Sequence, residues 1–267
     1  MGRLTAVRGL FRGVAFARER AALALLMLGF FVYGFTVLTL LLPPEVKPMF
    51  TGLTLCYLTA FLALAAQWFW GRWFASGLAW SGFGLGLASM VQPQIGPHPV
   101  AIAFTVMHAV VIAALMGSKM AARYELQPGW RERFAIDEYG VTRLGKAVTR
   151  GSASLPTLIA WALASRTGQG IDIVAGVAFI VGALGVAGML RLRTWGALAL
   201  GLAAMVVAGA WMFLPGPQAL AVSDVGLEGL WSTLASPGVT IGIIAFALAP
   251  RARPAWRFLC GDARAQV

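Results

Sequence analysis

Ala21–Leu42 reads AALALLMLGFFVYGFTVLTLLL, 22 residues without a charged side chain. As a helix this run is about 33 Å long, enough to cross the roughly 30 Å hydrocarbon layer of a bilayer. It is too long for the apolar core of a signal peptide, and no small-residue cleavage site follows it. It therefore reads as a retained first membrane helix. Six further stretches read as spans: Thr51–Trp70, Trp73–Val91, His98–Gly117, Ile171–Leu190 with Asp172 at its start, Thr194–Leu214, and Val225–Ala249 with Glu228 near its start. An eighth is less regular. The uncharged run Ser152–Ser165 would reach only about 21 Å, but a start at Gly145 gives a full span provided Lys146 and Arg150 extend to the interface.

Composition agrees with this pattern. Of 267 residues, 59% are hydrophobic and 12% charged, where an ordinary soluble domain is nearer half apolar and a quarter charged. The expected fold is an all-α integral membrane protein with eight transmembrane helices. The net charge of +11 would point to nucleic acid in a soluble protein. In a membrane protein Lys and Arg collect on cytoplasmic loops and orient the chain, so no nucleic-acid partner is expected. With eight spans and both the N and C termini cytoplasmic, 19 of the 21 basic residues lie inside, leaving Lys47 and Arg166 outside. Removing the fifth span would carry six of the 19 to the outer side, which the positive-inside rule disfavours. The bacterial inner (plasma) membrane is the expected location.

The chain then divides into a basic amphipathic cytoplasmic segment, 1–20, a first four-helix half, 21–117, a cytoplasmic loop, 118–144, a second four-helix half, 145–250, and a basic tail, 251–267. Arg72 and Arg193 occupy comparable short turns, each followed about one span later by a Pro pair, Pro93 with Pro97 and Pro215 with Pro217. This is a weak four-plus-four parallel repeat of the kind some transporters use. In the first segment Leu4, Val7, Phe11 and Val14 recur at helical spacing among five arginines, suited to anionic lipid headgroups. In the loop, Arg133–Asp137 and Val141–Leu144 alternate about a turn at Gly140, as a short hairpin would. The same loop offers a docking surface for a cytoplasmic protein partner, or an interfacial segment through Trp130, Phe134 and Tyr139. Trp68, Trp70, Trp73 and Trp195 fall at cytoplasmic span ends and Trp211 and Trp231 near outer ones, as interfacial belts do. Gly82 with Gly86, Ala178 with Gly182 and Ala197 with Gly201 form small-residue faces for close helix packing.

Chemistry is sparse. Cys56 and Cys260 give no disulfide or metal framework. His108 lies midway along the fourth span and is the deepest ionisable group, which marks a site hypothesis; a hydrogen bond across a helix interface is the simpler reading. With Met90, His98, Met107 and Met116 it could be imagined as a soft copper site. His98 and His108 are too far apart on one helix to sandwich a haem. Asp172, Asp224 and Glu228 share the outer level, where they would form a cation-attracting mouth, pair with Arg166, or simply be solvated. No cofactor, metal or catalytic set is assigned. Ser236-Pro237-Gly238 breaks the eighth span at its centre, since Pro removes a backbone donor and clashes with the preceding turn. The candidate substrate-binding set is therefore Ser232, Thr233, Ser236 and Thr240, with His108 facing them. The best-fitting function is a permease-like or small-molecule or lipid-handling bundle without acid-based ion coupling. The alternatives are a non-catalytic accessory or assembly subunit of a larger membrane complex, and a lipid-modifying membrane enzyme. Oligomeric state is not specified by the sequence.

Overall fold

The computed structural model describes residues 17–91, 98–125, 127, 129, 132, 138–164, 172–191, 193–213 and 228–259. Among these residues there is no strand, and the helices follow in order. Helix α1 is Ala17–Leu41, α2 Lys47–Ala65, α3 Gly71–Met90, α4 Pro99–Leu115, α5 Ser118–Tyr124 and α6 Glu138–Ser152. They are followed by α7 Leu155–Leu163, α8 Ile173–Leu190, α9 Trp195–Phe213, α10 Glu228–Leu234 and α11 Pro237–Leu259. Four of them, α1, α2, α8 and α9, are long and apolar enough to cross a membrane. The count is five if α4 and α5, which meet at a 76° bend, make a single broken span.

Helix α3 is the hub, packing on α4, α6, α2 and α10. It is buried on almost every face, from Trp73 and Phe74 through Leu78 and Leu85 to Ser89, and its glycines let neighbours approach closely. Gly82 and Gly86 turn toward α4, where an added Cβ would collide with His108 and Thr105; this is the close packing expected of that pair. Large apolar side chains cover the outside instead of water-compatible ones. Leu26, Phe30 and Tyr33 of α1, Ile180 and Leu184 of α8, and Leu198 and Met205 of α9 are all exposed. A bundle apolar outside as well as inside is compatible with a multi-pass membrane protein, because lipid tails cover such a surface without penalty.

Several elements differ from the sequence-based expectations. The fifth expected span is two helices separated by Ala153 and Ser154, α6 and the short α7, which is buried from Leu155 to Ala162. Glu138–Leu144, read as part of a hairpin, belongs to α6; Arg133–Asp137 lies outside the described residues. The reason is visible over a longer window. Val141, Gly145, Val148 and Ser152 are buried while Thr142, Arg143 and Lys146 are exposed, a 3.6-residue period that four alternating residues imitate. The eighth expected span is likewise two helices, α10 and α11, parted at Ala235 and Ser236 with Pro237 opening the second, where its missing N–H costs no helical bond. Trp73 and Trp231 are each 3% exposed, so neither belongs to an interfacial belt. Trp231 packs edge-on against Phe50 at 4.8 Å. Ala178 and Gly182 do pack closely, against α7 and α9. Ala197 and Gly201 do not: the tight contact between α8 and α9 runs one residue round the helix, at Gly185, Gly188 and Gly196.

Candidate functional site

His108 is fully buried between α1, α2 and α3. Its Nδ1–H donates to the Phe104 carbonyl at 2.7 Å, which leaves Nε2 to accept from the Tyr57 hydroxyl at 2.8 Å. Phe31 and Phe104 pack against the ring in tilted arrangements, with centroids 4.0 and 4.2 Å away, and the bare backbone of Gly82 provides the space for Nε2. Both ring nitrogens thus have partners, in an aromatic box closed by four helices. His98 caps α4, its Nδ1 accepting from the Val100 N–H at 3.3 Å. Among the described residues no three His, Cys, Asp or Glu side chains come together as a metal site would require.

The Ser232–Thr240 stretch lies elsewhere. Thr233 and Thr240 are buried, Ser236 is half-buried and Ser232 is exposed. The Thr240 hydroxyl donates at 3.1 Å to the Ser236 carbonyl, which also accepts the Thr240 N–H in the first turn of α11. His108 does not face this stretch, because α3 stands between them. On α3, Gly82 and Gly86 look toward His108's helix, whereas Ser81, Gly84, Leu85 and Ala88 look toward α11. The two faces are roughly 130° apart at 100° per residue. Of the candidate set, Thr233 borders the cavity described next.

That cavity, of about 860 Å³, is bounded by α3, α6 and α11. Helix α6 packs on both α3 and α11, but α3 and α11 make no extended contact with each other, and the gap between them is the opening. Trp80 and Phe246 stand at its rim, 46% and 63% exposed. Along its length the groove changes character. One end carries Arg72, Glu125, Thr142, Lys146 and Arg150; the other is formed by Leu85, Ala88, Val239 and Ile243, with Thr233 at the base. From Arg72 to Ala88 the wall of α3 rises about 24 Å. The sequence contains signs of this site only in hindsight: Lys146 and Arg150 are four apart on one helix face, and Gly84 presents open space, with nothing within 4 Å of an added Cβ.

The charged end is built with care for its one acid. Glu125, which lies past the α4–α5 bend, pairs with the Arg72 guanidinium and accepts a hydrogen bond from the Trp73 side chain. Burial pushes its carboxyl above the usual carboxylate range, while Arg72 and Trp73 pull it back. Arg72 also donates to the Leu115 carbonyl at 2.8 Å, and Arg20 donates to the carbonyls of Ala113, at 2.7 Å, and Met116. Two arginines from other helices thereby satisfy the free C-terminal carbonyls of α4 and oppose its negative dipole end. Asp172, placed by sequence at an outer mouth, caps α8 by accepting from the N–H groups of Val174 and Ala175 at 2.8 and 3.1 Å. Arg166, Asp224 and Cys260 lie outside the described residues, as does segment 1–16. In the loop proposed for a protein partner, Ser118–Tyr124 forms α5, with Met120 and Tyr124 buried.

Fold and groove together define an all-helical bundle with an amphipathic side cavity. No known family, curated protein or solved structure matches the chain.

Proposed function

We propose that this is an eight-span protein of the bacterial plasma membrane, both termini cytoplasmic, that takes a small amphiphile from the bilayer into the groove between α3 and α11. It is permease-like or lipid-handling, and it works without acid-based ion coupling. The observation that carries this reading is the groove itself: its volume is in the usual range for small-molecule sites, it is charged at one end and apolar at the other, and its open side lies between two exposed apolar rims. A water-soluble substrate would gain nothing from an apolar wall facing lipid.

The orientation is supported by where the charges meet. Arg20, Arg72, Lys146 and Arg150 gather around the C-terminal end of α4, the start of α3 and the facing part of α6, and Met189 packs where a Cβ on Gly151 would lie, which brings the end of α8 near the end of α6. A basic cluster at one end is what the positive-inside rule would ask of an oriented bundle, and it supports the proposed orientation. In this reading α6–α7 and α10–α11 are broken spans, the discontinuous helices that line binding sites in transporters of repeated architecture.

Gly84→Trp tests the reading. The side chain enters open space on the groove wall, so the bundle should fold as before while the groove is filled. Native mass spectrometry of the detergent-purified protein should show bound amphiphile in the wild type and little in the variant. Equal occupancy in the two proteins would overturn the assignment.

A further inference from the structure

We propose that the groove selects an anionic glycerophosphate-type amphiphile, its phosphate held between Lys146 and Arg150 and its ester linkage hydrogen-bonded by Ser81. This rests on the groove being a ligand site and names the chemistry that site would take. Three independent observations converge. First, Lys146 and Arg150 border two adjoining cavities, the groove of about 860 Å³ and a smaller one of about 340 Å³ reaching Ala247 and Pro250. They therefore form the partition through which a headgroup would project. Four residues apart on α6, they place two cations on one helix face. Neither has a carboxylate partner among the described residues; Arg150 lies over the Phe246 ring at 5.2 Å, a contact that leaves its N–H fork available. Second, the one acid of the groove is already committed to Arg72 and Trp73, so the free charge at that end is positive. Third, the Ser81 hydroxyl is buried, borders the groove and has no hydrogen-bond partner. A buried hydroxyl without a partner is destabilising, and a ligand acceptor would remove that cost.

The spacing of these features fits one molecule. Gly145 abuts Trp73, and Gly77 abuts Thr149 and Ser152, so α3 and α6 advance together. Ser81 is one turn beyond Gly77, about 6 Å deeper than the level of Arg150. Phosphate, ester and chain follow in that order from the charged end, the chain running along Leu85, Val239 and Ile243.

Binding of three probes to the purified protein, measured by isothermal titration, tests this. The probes are 1-oleoyl-glycerol 3-phosphate, 1-oleoyl-glycerol and glycerol 3-phosphate. The wild type should prefer the first over the second about tenfold, the value of one charge-assisted hydrogen bond, and bind the third far more weakly. Lys146→Gln with Arg150→Gln should abolish the preference while leaving 1-oleoyl-glycerol affinity unchanged, and Lys146→Glu alone should reverse it. Ser81→Ala should weaken 1-oleoyl-glycerol 3-phosphate about threefold to tenfold and leave the binding of a fourth probe, its 1-O-alkyl ether analogue, unaffected. Equal binding of the first two probes by the wild type would overturn the headgroup site, as would a preference that survives the Gln variants. Glycerol 3-phosphate binding as tight as the lipid would mean a site for a free anion and would also overturn it. If Gly84→Trp leaves all binding intact, the groove assignment itself fails, whatever the headgroup preference.

Discussion

Gly82 carries no side chain because the His108 ring occupies the place where one would be. The pair is a single packing unit, and its two halves should respond together. Gly82→Ala pushes the imidazole away from Tyr57 and should cost about 1–3 kcal/mol, as overpacking of a well-filled core does. Adding Gly82→Ala to His108→Ala should cost less than that, since the methyl group then enters vacated space; thermal unfolding of the four proteins in detergent measures the coupling. Additive losses would show that the two residues act separately. Glu125 is a second residue with a readable consequence. Its raised carboxyl means that the folded state binds the proton more tightly than the unfolded chain does. The resulting stabilisation is complete below the ordinary value of 4.5 and is lost as pH rises through the folded value. Wild-type unfolding midpoints should therefore rise, relative to those of Glu125→Gln, as pH falls from neutral toward 4.5. Parallel curves for the two proteins would rule out Glu125 as the titrating group.

At the scale of elements, the closest helix pair is α8 with α9, and its intimacy depends on bare backbone. An added Cβ at Gly185 would lie 2.7 Å from the Leu200 nitrogen, whereas at Gly201 the nearest atom is the tip of Leu248 at 3.5 Å. Gly196→Ala, at the same seam, should lower the unfolding midpoint by the equivalent of about 1–3 kcal/mol. Gly201→Ala should be neutral or raise it by up to about 1 kcal/mol through helix propensity. Equal effects would contradict the seam. The contrast also shows what was legible in the sequence. Apolar length located α1, α2, α8 and α9 to within a few residues, and the Gly82–Gly86 spacing identified a packed face. The direction in which most helices face was not legible, because residues against lipid and residues against protein are both apolar and periodicity then points nowhere. Ala197–Gly201 was misplaced by one position for that reason. Helix α6 is the opposite case: one face is charged, so its period is plain once the window exceeds the alternating Val141–Leu144. The groove could not be read at all, since it arises from α3 and α11 failing to meet, and a gap between helices has no local sequence signal. Lys146 read as an interfacial lysine, and no sequence pattern singled out Ser81.

At the scale of the whole molecule, the basic end of the bundle makes a topological prediction. In a background with Cys56→Ala and Cys260→Ala, Lys47→Cys should be labelled by a membrane-impermeant maleimide added to intact cells. Lys119→Cys should be labelled only after the membrane is opened. The reverse pattern would invert the orientation, and labelling of both in intact cells would remove the plasma-membrane assignment. The first of these lysines precedes Pro48 at the start of α2, and the second lies just past the α4–α5 bend, so the two report on opposite ends of the same helical layer.

The arginine closure of α4 also has a history in time. Arg20 is made with the first helix, yet the carbonyls it serves belong to residues 93 and 96 positions later. At about 5–20 residues per second, roughly 5–20 s of synthesis separate the arginine from its acceptors. During that interval the guanidinium lacks these acceptors, and α1 waits as an unfinished half of an interface. The last turn of α4 closes onto it only when the third and fourth helices have both arrived. The order of the genetic message thus becomes an order of assembly, with the earliest helix kept at the door until its late partner is made.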